Sequence, residues 1–220
     1  MNGKKRTFVV IGLGIFGRTI ATQLANFGNH VLGIDSDEGR VNDVIDELSE
    51  AVIADSRDEQ ALREAGVDQY DVAVVAIGED LESNVLCTMN AKMLGVDAIW
   101  AKAMNRTHHT ILERLGADRI IHPEEEIGQH VAQMLHNPLV RDYLSLGDDN
   151  FLVDLSIPDE FDGRRLAELK LSEHDEIRVV GIVRANDYLD GQDEQIVLES
   201  DDKLLLLGRR DTLRDFSDSL

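Results

Sequence analysis

The chain has 220 residues, enough for one large domain or two small ones, and 43% of them are apolar, so it can bury a real core. Lys and Arg total 22 against 43 Asp and Glu, a formal net charge of −21 that argues against nucleic acid or an anionic membrane surface as partner. A single cysteine, Cys87, excludes an intrachain disulfide and leaves little for a Cys-based metal cluster.

The apolar runs are far shorter than the roughly 20 residues of a spanning helix. No leader pattern is visible, so a cytoplasmic location is expected. Acidity is uneven: residues 1–140 carry a net charge of −10 and the shorter stretch 141–220 carries −11, which suggests two domains. Asp outnumbers Glu 26 to 17, and Lys occurs six times against 16 Arg. Such a surface fits adaptation to high salt, where carboxylate repulsion is screened, and equally fits a merely acidic protein.

Six short apolar runs lead the chain: Thr7–Ile11, Val31–Asp35, Ala51–Ala54, Val72–Ala76, Ala98–Ala101 and Arg119–His122. They lack strict alternation, as strands do when both faces are covered. Amphipathic stretches separate them. Ile20, Leu24 and Phe27 share one face of the first, and Val85, Met89, Lys92 and Met93 follow a similar spacing after Leu81. This pattern predicts a doubly wound, parallel α/β sheet. Glu124–Leu144 reads as one or two helices, interrupted at Asn137–Pro138, with Ile127, Val131, Met134 and Leu135 as an apolar face. Gly147–Asn150 reads as a linker. Strands are then expected at Phe151–Ile157, Arg178–Arg184, Gln195–Leu198 and Leu204–Gly208, and short helices at Arg165–Leu169 and Thr212–Ser217. Together they predict a small C-terminal α+β module. Residues 187–202 hold seven acidic and no basic side chains, which predicts a solvated loop and strand edge.

The sharpest motif is Gly12-Leu13-Gly14-Ile15-Phe16-Gly17, between the first strand and the first helix. Gly12 permits a tight turn, Gly14 lets a phosphate approach the backbone, and Gly17 lets helix and strand pack closely. A phosphate would then rest on N–H groups at the helix N-terminus. Asp35 ends the second strand 18 residues after Gly17, near where a ribose-binding acid is expected. Its charge disfavours the 2′-phosphate of NADP. Asp55 ends the third strand and is either on the adenine side of a ligand or a helix cap before Glu59. Lys102, at the end of the fifth strand, is either a phosphate contact or an ordinary snorkelling lysine. No Ser-His-Asp or Cys-His arrangement is evident. His108 and His109 read as solvated helix residues. His122-Pro123-Glu124 ends the sixth strand at the carboxyl edge, where ligands bind in such sheets.

Several segments together resemble a known family. They are VVIGLGIFGRTIATQL, VLGIDSDEGRVNDV, AVIADSRDEQALREAGVDQYDVAVVAIG, IWAKAMN and, most characteristically, LERLGADRIIHPEEEIGQHVAQML; FDGRRLAELKL, IRVVGIVR and LESDDKLLLLGRRDTLRDF follow. The chain resembles the RCK (KTN) regulators of potassium transport, of KtrA/TrkA type, over residues 6–217. The resemblance implies a Rossmann-like RCK N domain (TrkA-N) over residues 1–123, crossover and dimerisation helices over 124–147, and an RCK C domain (TrkA-C) over 148–220. It implies a non-catalytic subunit that binds an adenine nucleotide, ATP or ADP, with NAD(H) or AMP as other candidates. It places Gly12, Gly14 and Gly17 at the phosphates, Asp35 at the ribose and Asp55 near the adenine-ribose side, with Leu13, Ile15, Phe16, Ser36, Arg40 and Ser56 also in the nucleotide site. Ala76, Ile77 and Gly78 fall beside the ligand, Lys102 at a phosphate, and Glu124 at a cation between paired sites. Homodimers assembling into an octameric ring under a KtrB/TrkH-like membrane channel subunit are also implied.

Two departures matter. Close relatives carry arginine at position 15, where it reaches a terminal phosphate; here Ile15 removes that bidentate donor. Relatives that bind cyclic-di-AMP carry an arginine after the segment matching Leu169–Leu171, whereas Ser172–Glu176 is acidic here, so that ligand is not expected. An NAD-dependent oxidoreductase is the alternative function, but the C-terminal module offers no acid–base constellation. A nucleotide-sensing transcription factor would need a basic segment that residues 141–220 lack.

Overall fold

The computed structural model describes residues 6–137, 139–171 and 176–219. In chain order the elements are β1 (Thr7–Ile11), α1 (Ile15–Asn26), β2 (His30–Asp35), α2 (Glu38–Asn42), β3 (Glu50–Ile53), α3 (Glu59–Glu64), β4 (Val72–Val75), α4 (Leu81–Met93), β5 (Ala98–Lys102), α5 (Arg106–Leu115), β6 (Arg119–Ile121) and α6 (Pro123–His136). Then follow β7 (Val140–Gly147), β8 (Asn150–Ser156), β9 (Arg178–Arg184), β10 (Asp187–Asp190), β11 (Lys203–Arg209) and α7 (Arg210–Asp218). Two compact units result, one through Glu124 and the other from Glu125. No helix among the described residues is long and apolar enough to cross a membrane.

The first unit is built on a parallel sheet ordered β3-β2-β1-β4-β5-β6. The order in which strands are added reverses between β1 and β4, and that switch point opens a crevice at the strands' carboxyl ends. Val9, Ile11, Leu32, Ile34, Val75 and Ile99 pack on one face, and Val10, Val31, Val72 and Val74 on the other. Both faces are therefore apolar, which explains the unbroken runs in the sequence. Gly12, at φ +94°, makes the turn out of β1; a Cβ there would come within 3.2 Å of the Ala76 carbonyl carbon and the Ile77 nitrogen. A Cβ on Gly17 would overlap the Gly12 carbonyl, so only glycine lets α1 lie this close to β1.

Some expectations are corrected. The buried residues of α4 are Asn84, Cys87, Thr88, Asn90 and Ala91, while Leu81 and Met93 are exposed. Small side chains let this helix approach the sheet. Phe27 is the exposed C-cap of α1 rather than a core residue.

The second unit contains an antiparallel sheet ordered β10-β9-β11-β8-β7. The helix expected after Asn137 is replaced by β7, and Gly147–Asn150 is a hairpin turn rather than a linker. Gly147 and Asn150 pair across it, and Asp148 and Asp149 both take positive φ, the geometry of a two-residue primed turn. Register shifts in β7 break the alternation that would have marked it as a strand. Gln195–Leu198 contributes a single bridge, Arg165 to Val197, and Leu166–Leu169 is a 3-10 turn. In the segment expected to be solvated, Asp187–Asp190 forms an edge strand, while Asp202 is buried against Arg184 at 2.7 Å. Most of Ser172–Glu176 lies outside the described residues.

Candidate functional site

Four helices of the first unit start on a side chain that accepts a backbone N–H. Asp37, Asp58, Asp80 and Asn105 cap α2, α3, α4 and α5 through the amides of Arg40, Gln60, Ser83 and His108. In contrast, α1 begins on Gly14, has no side-chain cap and carries no acidic residue in its first turn. A Cβ placed on Gly14 would meet nothing within 4 Å. The donors and positive dipole end of α1 thus face open space, which suits an anion.

That space is a cleft of about 960 Å³ at the carboxyl ends of the parallel strands. Gly12, Gly14, Ile15, Phe16, Asp35, Ser36, Arg40, Asp55, Ser56, Ala76, Ile77, Gly78, Lys102 and Glu124 all line it. Leu13 and Gly17 do not. The Leu13 side chain is buried, and Gly17 serves the helix–strand contact, so both build the turn instead of facing the cleft. Arg57, Glu79, Asp80 and Ser83 line the cleft as well and were not foreseen. Their signal was the Asp80–Ser83 cap spacing and the Asp55-Ser56-Arg57 run that follows β3.

Asp35 is buried and holds the loop together. Its Oδ2 accepts the Leu13 N–H at 2.7 Å, its Oδ1 accepts the Asp37 N–H at 2.9 Å, and Arg40 Nη1 lies 3.4 Å from Oδ2. Asp55 accepts the Arg57 amide at 3.0 Å and the Arg57 guanidinium at 2.7 Å. Those Arg57 hydrogen bonds hold its carboxyl below the usual range. The α3 cap is Asp58, so the capping alternative for Asp55 falls away.

Lys102 is 8% exposed, so it does not snorkel into solvent. Its Nζ lies 2.5 Å from Glu124 Oε1 and 5.5 Å from the Phe16 ring centre. The hydrogen bond from Lys102 keeps the Glu124 carboxyl below its ordinary value, against a smaller opposing effect of burial. Room for the ammonium comes from Gly78, where a Cβ would approach Nζ to 3.1 Å. Buried Asn84 ties the ends of β4 and β5 by donating to the Ile77 and Lys102 carbonyls at 2.5 and 3.0 Å. Each cation in the cleft thus already has a carboxylate: Arg40 with Asp35, Arg57 with Asp55, Lys102 with Glu124. An entering phosphate meets backbone donors first and must compete for side-chain charge. Ile15 is 85% exposed at this edge and offers neither charge nor donor.

The histidines also depart from expectation. His108 is buried, with Nδ1 accepting the Met104 N–H at 3.4 Å, and burial lowers its pKa. His109 Nδ1 lies 2.9 Å from His122 Nε2.

A profile of the TrkA-N domain matches residues 8–123, and one of the TrkA-C domain matches residues 152–220. The chain is 32% identical over 213 residues to the Ktr system potassium uptake protein A of Bacillus subtilis, covering 97% of this chain and 96% of the relative. It is 35% identical over 204 residues to the Ktr system potassium uptake protein C of the same organism, covering 93% and 92%. Among solved structures, the GsuK RCK domain shares the fold at TM-score 0.66 and 13% identity, covering 99% of this chain and 48% of that one. The GsuK channel bound to NAD does so at TM-score 0.63 and 13% identity, covering 96% and 38%. This chain therefore spans about half or less of those solved chains. It belongs to the TrkA family of Ktr and Trk potassium-uptake proteins, with a TrkA-N domain followed by a TrkA-C domain.

Proposed function

We propose that this chain is a nucleotide-responsive, non-catalytic gating subunit of a potassium transport system, acting at the cytoplasmic face of a KtrB/TrkH-like membrane subunit. The supporting observation is the uncapped α1 N-terminus at Gly14, open to a cleft large enough for an adenine nucleotide, in a chain of the Ktr and Trk family. The residues present fit such a ligand. Gly12, Gly14, Ile15 and Phe16 offer backbone to its phosphates. Asp35 and Arg40 stand where the ribose would lie, and Asp55 and Ser56 toward the adenine. A bound nucleotide supplies charge and contacts, and it biases gating only by its different affinity for two assembly states.

Lys102 is placed to choose between Glu124 and a phosphate. The cation proposed at Glu124 fits poorly while Lys102 holds that carboxylate, and the described residues contain no group of three metal-binding side chains. Release of Lys102 to a phosphate would be its precondition. Dimerisation through the exposed Ile127, Val131 and Leu135 of α6, and closure of dimers into an octameric ring, belong to the same proposal.

Calorimetric titration of ADP, ATP, AMP and NAD(H) tests the site. Gly14→Asp should abolish binding with the fold retained, and unchanged affinity would overturn the assignment. With Ile15 in place, ATP should bind no more than about tenfold tighter than ADP, a difference below about 1.4 kcal/mol. Ile15→Arg should widen that preference. Gating is tested by co-expression with a membrane subunit in cells deficient in potassium uptake. Uptake that is the same with and without this chain would refute the regulatory role.

A further inference from the structure

Away from the cleft's pairs, two imidazoles converge with no role in the reading above. His109 is on α5, and His122 follows β6 immediately before Pro123 begins α6. Their ring planes differ by 9° with centroids 5.1 Å apart, yet His109 Nδ1 and His122 Nε2 are only 2.9 Å from each other. Near-parallel planes with that nitrogen contact mean the rings meet edge to edge, so in-plane lone pairs point at one another. In the neutral pair one nitrogen donates its proton to the other. Both rings are half-buried, which leaves a path from solvent.

We propose that His109 and His122 form a two-imidazole chelate for a late first-row divalent ion of the zinc class. Zinc binds imidazole nitrogen at about 2.0–2.1 Å, and two nitrogens on a tetrahedral ion stand about 3.3 Å apart. To admit the ion the nitrogens must part by a few tenths of an ångström and each ring must turn by about 35°, so that the two lone pairs converge on an ion off the N–N line. The ion takes the place of the proton between them, which leaves to the other nitrogen of its own ring or to solvent. Imidazole pairs select zinc, copper and nickel over magnesium, which prefers oxygen. Among the described residues no third His, Cys, Asp or Glu completes a cluster, so water fills the remaining positions. The ion would fasten α5 to the residue that leads into α6. This proposal does not depend on the nucleotide reading.

Zinc is titrated calorimetrically into the full chain with excess Mg²⁺ present to occupy carboxylate sites. The expected result is near one zinc per chain. The affinity should fall at least about tenfold in His109→Gln and in His122→Gln, and be unchanged in His30→Gln. Equal zinc affinity in all variants, or no uptake by the wild type, overturns the site. Electron paramagnetic resonance of the wild type with substoichiometric Cu²⁺ needs no variant to fold. Coupling to two equatorial imidazole nitrogens supports the chelate, and coupling to fewer refutes it.

Discussion

The two units solve the same burial problem in opposite ways. Every residue of β4 is buried, whereas β8 and β11 alternate buried and half-buried positions along their length. A parallel sheet is covered on both faces, so its polar chemistry can appear only at the strand ends. There the first unit gathers Asp35, Asp55, Lys102 and Glu124 around a cleft of about 960 Å³. The second unit has a smaller cavity of about 410 Å³ whose lining is dominated by Val140, Phe151, Val153, Leu155, Leu206 and Leu213. Asn137 donates to Ser217 and Arg184 to Asp202, and among the described residues Asp154 Oδ1 is its one buried side-chain polar atom without a partner. The lesson is that the uncapped backbone donors of α1 lie where the order of the parallel strands reverses.

Five measurements test this contrast, and the largest effect comes from charge placed in the strands. Val74→Asp and Val75→Asp point to opposite faces of β4, yet both should cost more than about 4 kcal/mol, because each buries an unpaired carboxylate. In β11, Leu206→Asp should do the same, while Leu205→Ser should cost less than about 1.5 kcal/mol. Urea unfolding decides it; equal penalties for Leu205 and Leu206 would contradict the one-sided sheet.

Next is the Arg184–Asp202 pair. Burial pushes the Asp202 carboxyl up, but the Arg184 hydrogen bonds and the Glu199 amide outweigh it and hold the carboxyl below its usual value. A depressed carboxylate stabilises the fold above the unfolded value near about 4 and loses that contribution as pH falls through the folded value. Asp202→Asn should therefore cost about 2 kcal/mol at neutral pH, with the penalty shrinking in acid.

In the first unit, Lys102→Met should weaken nucleotide binding up to about tenfold, or about 1.4 kcal/mol. Glu124→Gln, by removing the competitor for the ammonium, should strengthen it several-fold. Calorimetry giving the same sign for both variants would mean that Lys102 does not exchange partners.

Asp154 should behave oppositely to Asp202. Its Oδ1 is buried without a hydrogen-bond partner, and burial raises its pKa despite Lys203 and Arg141 nearby. A raised carboxyl costs stability as pH rises from the unfolded value through the folded one. Asp154→Asn should gain about 1 kcal/mol at pH 7 and nothing at pH 3, read from urea midpoints at the two pH values. The smallest effect is salt. At a net charge of −21, the melting temperature should climb by a few degrees between dilute buffer and about 1 M salt. A flat curve would exclude charge repulsion as a limit on stability.

Periodicity and glycine spacing determined much of the molecule. The six parallel strands were legible because residues buried on both faces leave continuous apolar runs. The turn was legible because only glycine tolerates the positive φ at Gly12 and the contact at Gly17. The strand β7 was not, since its register shifts erase alternation and Asp148 and Asp149 make a turn without the usual glycine. Which side chains meet is a different kind of information. Lys102 and Glu124 are 22 positions apart, Leu13 and Asp35 likewise 22, and His109 and His122 are 13 apart. Local pattern says which face a residue occupies, and it identified candidate ligands one at a time. Three-dimensional packing is what pairs the cleft's cations, buries His108 and sets two imidazoles edge to edge. Those facts depend on how crossovers bring distant strand ends together, which no local spacing records.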